Sequence, residues 1–214
     1  MSAATQYNVF NVLYLIFRLG PIFVIGFFLM QSMFNLDPRG FVYLIGLALA
    51  TMLASILGQM LSIGMGGNFQ QGQSYKCNTF YLGMIPVGGG AVEPLSKLPL
   101  NVLVYAYTLA YLITSFVAPP VTYNNALASL YQNLVPLIVF PLLLLFEILW
   151  LLNFSCNRLI FILVSVGLGI VCGISWAYII RYTRQTNLQY LSLGNVEVCS
   201  RPSKAVYRCK NISK

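Results

Sequence analysis

The sequence predicts an all-α integral membrane protein: a helical bundle of about five transmembrane helices with a small extramembrane C-terminal tail. Three observations predict it. Hydrophobic residues make up 58% of the 214 positions and charged residues only 7%, against about a quarter charged in a soluble domain. Five apolar stretches each reach the length of about 20 residues that a bilayer-crossing helix needs. Turn or polar punctuation separates every stretch from the next. A chain of this composition has little charged surface to offer water, whereas side chains facing lipid should be apolar.

The first span runs from Phe10 to Met30, and no basic region or small-residue cleavage site of a signal peptide precedes it, so it is expected to be retained. Asn35-Leu36-Asp37-Pro38-Arg39-Gly40 reads as a tight hairpin turn into the second span, Phe41 to Leu61. Ser62 to Leu98 is the one long connection. Its glycine runs, Gly64-Met65-Gly66-Gly67 and Gly88-Gly89-Gly90, lack the Lys-Ser/Thr of a phosphate-cradling loop and are expected to let the backbone turn at the membrane surface. Phe80 to Val87 is too short to span and is interrupted by Pro86, so it reads as a surface-lying piece of that loop.

The third span, Pro99 to Ala118, closes at Pro119-Pro120. The fourth, Leu134 to Leu152, carries Pro136 and Pro141, which neighbouring helices can accommodate. A start as early as Ala126 would make this span long and tilted. Asn153 to Arg158 turns into the fifth span, Leu159 to Ile180. Residues 1–180 therefore form the transmembrane domain and 181–214 a basic tail. Small residues recur at Gly46, Ala50, Ala54 and Gly58, and again at Gly167, Gly169 and Gly173. They form smooth faces for close packing inside the bundle.

An odd number of spans puts the termini on opposite faces. Lys76, Lys97 and Arg158 fall on one face, and Arg39, Arg181 and Arg184 on the other. The wider tail adds Arg201, Lys204, Arg208, Lys210 and Lys214, which tips the balance to an N-out, C-in orientation.

Charge within a span is costly and marks candidate function. Arg18 lies inside the first span and Glu147 inside the fourth. Either both snorkel towards a headgroup region, or they face inward and pair with each other or with Asn and Tyr groups. Metal chemistry is not expected. The chain has no histidine, and its five cysteines contain no C-x-x-C pair. A disulfide between Cys77 and Cys156 fits if their shared face is oxidising. Cys199 and Cys209 have a spacing suited to closing a hairpin, and Cys172 reads as a small apolar residue within the fifth span. Asn211-Ile212-Ser213 and Asn153-Phe154-Ser155 match the glycosylation sequon and are read as chance.

The tail carries seven basic residues and one acid, Glu197. It can gain affinity for anionic lipid or dock a protein partner through Tyr190, Tyr207 and its arginines. Alternating Val196, Val198, Val206 and Tyr207 suggest short strands, which favours docking.

Three positions resemble the type-2 phosphatidic acid phosphatase superfamily in layout. Lys76 stands in the long loop, Pro99-Leu100-Asn101-Val102 opens the third span, and Asn157-Arg158 opens the fifth. The resemblance, over roughly residues 62 to 180, implies a helical membrane fold with a phosphate site on one face, held by Lys76, Lys97 and Arg158. Its chemistry is missing. Val102 stands where the resemblance places a general-acid histidine, Val164 replaces the nucleophilic histidine, and Leu168 its orienting aspartate. Phosphoryl transfer through a phosphohistidine requires that imidazole. Catalytically empty relatives of this kind resemble multi-span proteins of the inner membrane of large DNA virions.

The expected role is therefore non-enzymatic and structural or assembly-related, with no cofactor and no nucleic acid partner. The bilayer, capsid or membrane proteins held by the tail, and a second copy of the chain are the partners considered. A headgroup-binding degenerate phosphatase and a small transporter or channel subunit using Arg18 and Glu147 are the rivals.

Overall fold

The computed structural model describes residues 9–34, 36, 38–64, 84–87, 91–94, 96–117, 134–183, 199–200 and 208–209. Five helices dominate it: α1 (Val9–Phe34), α2 (Pro38–Gly64), α3 (Leu100–Val117), α4 (Leu134–Asn153) and α5 (Leu159–Tyr182). All five are long and apolar enough to cross a membrane. A spanning backbone in lipid must satisfy its own polar groups, and helices do so within one segment. Pro21 and Pro141 sit inside α1 and α4. Two short antiparallel hairpins lie outside the helices, β1 (Met84–Val87) with β2 (Ala91–Pro94), and β3 (Cys199–Ser200) with β4 (Arg208–Cys209).

One local expectation changes. The α1–α2 turn is shorter than the six-residue hairpin read from Asn35 to Gly40. Pro38 and Gly40 belong to the first turn of α2, because proline lacks the N–H that a first helical turn leaves unused. Leu36 takes a left-handed φ of 53°, and Phe41 N–H donates to Ser32 Oγ at 3.3 Å across the turn. Within the apolar piece Phe80 to Val87, Met84–Val87 forms a strand that pairs with Ala91–Pro94, while Phe80 to Gly83 lie outside the described residues. The start of α4 proposed near Ala126 lies outside the described residues.

α3 is the axis of the bundle. It has 78% of its span buried, against 11% to 33% for the other four. Its small face, Ala106 and Ala110, lies against Gly169 and Gly173 of α5. A Cβ built at Gly173 would meet Tyr107 O at 2.6 Å, and one at Gly169 would meet Ala106 Cβ at 2.8 Å. Close backbone approach is the use of small residues in membrane helices. Gly46, Ala50, Ala54 and Gly58 all turn inward from α2. Gly167 departs from the expected face: it is exposed and nothing lies within 4 Å of a Cβ there. Gly167 is two residues before Gly169, a step of about 200° around a helix, so it faces away from α3.

The long connection returns inside the bundle. Ser96 Oγ donates to Ala54 O at 3.3 Å, well short of the end of α2. Ser96 and Leu98 are 1% and 0% exposed, and the backbone nitrogens of Lys97 and Leu98 lie over Gly58. The last residues before α3 therefore dip below the end of α2. At the other end Trp176 Nε1 donates to Val42 O at 3.0 Å, joining the end of α5 to the start of α2.

Filling the α3–α5 contact should separate these helices. Gly173→Leu is expected to cost about 1–3 kcal/mol through overpacking, read as a lowered unfolding temperature in detergent. Gly167→Leu should leave that temperature within about a degree of the parent, and equal losses at both sites would contradict the packing described.

Candidate functional site

Polar residues on α3 follow the helical repeat. Asn101, Tyr105, Thr108, Tyr111 and Ser115 are spaced four, three, three and four apart, which lines them along one face. All are at most 1% exposed. Tyr105 donates to Phe17 O of α1 at 2.8 Å. Thr108 Oγ1 donates to Val104 O at 2.6 Å; that uses its proton, so Tyr43 of α2 is the donor in the 2.6 Å Tyr43–Thr108 contact. Tyr107, beside this stripe, donates to Tyr43 O at 3.4 Å. The rings of Tyr43, Tyr107 and Tyr111 also pack together, with centroids 5.4 Å to 6.2 Å apart.

The charged residues gather at the Asn101 end. Arg18 is 1% exposed and Glu147 4%, so neither snorkels; the inward alternative holds. Asn101 Nδ2 donates to Glu147 Oε1 at 3.2 Å, and the Arg18 guanidinium acts electrostatically on the same carboxyl group. Next to them Phe17 and Phe146 stack at 4.9 Å, which clamps α1 to α4 beside the charges. Glu147 lies six residues before the end of α4, about 9 Å along the helix. A lone charge deep in a span costs about 3 kcal/mol or more, and grouping opposite charges with an amide offsets that cost.

Sequence reading singled out Arg18 and Glu147 but not the two residues of α3 that complete the cluster. The signal was present: Asn101 and Tyr105 are four apart in an otherwise apolar span.

A second group lies at the end of the bundle nearest the α4–α5 turn. Ser155 takes a left-handed φ of 50°, with Cys156 N–H donating to Leu151 O at 2.9 Å and Ser155 N–H to Leu152 O at 3.2 Å. This paired arrangement closes the C-terminus of α4. Asn157 Nδ2 then donates to Lys97 O at 3.4 Å, and Ser165 Oγ to Pro99 O at 2.8 Å. Lys97 and Arg158 are thereby brought to one end of the molecule, where Arg158 is the N-cap residue of α5 and exposed. Lys76 lies outside the described residues. At the positions where the phosphatase resemblance would place its catalytic groups, Val102 packs with Leu151, Cys156 and Ile162, while Val164 and Leu168 pack on the main core.

At the opposite end, α1, α3 and α4 leave an apolar cavity of about 260 Å³ lined by residues including Phe23, Phe27, Leu112, Phe116 and Phe140. Among the described residues no charged side chain lines it. Among the described residues no group of three or more Cys, Asp or Glu could hold a metal ion. Of the tail residues singled out, Arg181 lies in the last turn of α5 and Arg208 in β4. Arg184, Arg201, Lys204 and Lys210 lie outside the described residues. Cys199 and Cys209 stand directly opposite each other in the β3–β4 register.

The charged cluster should behave as a unit. Arg18→Met or Glu147→Leu alone leaves an uncompensated buried charge and is expected to cost about 3–5 kcal/mol. The double variant should recover most of that loss, as read by a double-mutant cycle on unfolding in detergent. Simple additivity of the two losses would refute the pairing.

No family model, characterised protein or solved structure matches this chain, and its role is read from the chemistry of the bundle itself.

Proposed function

We propose that the protein is a non-enzymatic structural or assembly element of a membrane, in which the helical bundle is the anchor and the basic tail holds a protein partner. The observation that carries this reading is the state of the intramembrane charges. Arg18 and Glu147 are both buried in the bundle, with Glu147 held by Asn101 and acted on electrostatically by the Arg18 guanidinium, and the cavity between the helices is lined by apolar side chains. Charges placed so hold helices together, whereas a translocation route requires polar groups facing a water-filled path. The five-helix anchor and a tail hairpin whose strands pair in register supply what an assembly protein needs. The finer assignment is the inner membrane of a virion, with a capsid protein as the partner of the tail; it follows from the resemblance to catalytically empty phosphatase relatives.

A second reading is supported by one arrangement. Lys97, Asn157 and Arg158 meet beside the N-terminus of α5, and α5 has no acidic residue in its first turn. Helix N-termini favour anions, so this end can hold a phosphorylated lipid headgroup without turning it over.

Deleting residues 185–214 should abolish co-purification of the partner crosslinked to the full chain in its native membrane, with membrane insertion unchanged. Undiminished partner recovery would overturn the anchor-and-tail reading. Lipid phosphatase turnover that Arg158→Ala abolishes would establish the second reading in an active form, and reconstituted flux sensitive to Glu147→Gln would establish transport instead.

A further inference from the structure

Cys156 is disulfide-bonded. It sits 2% exposed in the α4–α5 turn, packed with Val102, Leu151 and Ile162. The chain has five cysteines, and Cys172 within α5 is a free thiol. The candidates for its partner are therefore Cys77, Cys199 and Cys209.

Which of them can reach Cys156 is decided by the membrane. The return of the α2–α3 connection is fixed at the same end as the α4–α5 turn, through the Asn157–Lys97 and Ser165–Pro99 hydrogen bonds. Cys77 belongs to that connection. Cys199 and Cys209 follow α5, whose far end is fixed to the start of α2 by Trp176. α5 has 24 residues, about 36 Å of helix, which exceeds the hydrocarbon core of about 30 Å. Residues 183–198 include Arg184, Gln185, Asn187, Gln189, Asn195 and Glu197 and are too polar and too short to cross back.

We infer that Cys156 is bonded to Cys77, and that this bond fixes the sidedness of the protein. The α2–α3 connection and the α4–α5 turn face an oxidising compartment, and the basic tail faces a reducing one. Disulfides form and persist in oxidising compartments and are rare in reducing ones. The bond joins the two Sγ atoms. The thiols give up two protons and two electrons to an oxidised thiol–disulfide exchange protein of that compartment, which leaves as its dithiol. Cys199 and Cys209, opposite each other in β3–β4, lie on the reducing side and remain two thiols. The sidedness agrees with the excess of Lys and Arg in the tail, and it places the partner of the tail in the reducing compartment.

The test uses the full chain in its own membranes with free thiols blocked before solubilisation. Mass spectrometry of the unreduced digest should find a Cys77–Cys156 crosslinked peptide, with Cys172, Cys199 and Cys209 carrying the blocking group. Cys156 recovered as a blocked thiol, or joined to Cys199 or Cys209, would overturn the assignment. For sidedness, a membrane-impermeant maleimide is applied to sealed vesicles of Cys156→Ser. It should label Cys77 from one side, and Cys199 and Cys209 only from the other. Labelling of all three from one side, or a Cys199–Cys209 disulfide in the thiol-blocked wild type, would overturn the assigned compartments. The wild-type measurement stands even if the variant fails to fold.

Discussion

Lipid offers no hydrogen-bond partner, and that constraint falls hardest on α3. It carries Asn101, Tyr105, Tyr107, Thr108, Tyr111 and Ser115 in a helix of 18 residues, all of them buried. In water a polar helix would be pushed to the surface. In a bilayer the preference inverts, and the polar helix is drawn to the centre, where neighbouring helices supply partners. The other contacts arrange themselves round this placement. Gly169 and Gly173 let α5 close on the small face of α3, while Tyr43 of α2, Phe17 O of α1 and Glu147 of α4 answer its polar face.

The same constraint shapes the candidate site. Glu147 of the fourth helix is held by Asn101 of the third and acted on by the Arg18 guanidinium of the first, so one electrostatic cluster links three spans. A buried ion pair contributes little net stability over an apolar replacement, but losing one member is expensive. Its main effect is to specify which faces meet. Such a cluster gives the bundle a fixed internal arrangement.

The two ends of the bundle differ chemically. At one, Lys97, Asn157 and Arg158 meet beside a disulfide-bonded Cys156; at the other, Arg181 leads from α5 into the basic tail. Much of this was legible in the sequence. The spans were, because about 20 consecutive apolar residues are a signal that lipid itself enforces. The inward stripe of α2 followed from its four-residue spacing, whereas Gly167 misled because the run of glycines in α5 mixes two helix faces. The α1–α2 turn was read too long because Pro38 and Gly40, breakers elsewhere, are at home in a first helical turn. Arg18 and Glu147 were conspicuous as charges in apolar spans. That Asn101 would hold Glu147 was not visible, since the two residues are 46 apart in the chain.

By itself the sequence determined the environment, the number of spans and the scarcity of chemistry available to them. These depend on composition and on runs of adjacent residues, which the bilayer reads locally. It also removed the imidazole that the resembled phosphatase chemistry requires. Only the tertiary structure decided which helix is central, which way Arg18 and Glu147 turn, and that Ser96–Pro99 descends into the bundle. Those outcomes depend on which faces meet, and in lipid apolar area does not discriminate between faces. The choice falls to close backbone contact and to polar groups seeking partners, both of which join residues far apart in the chain.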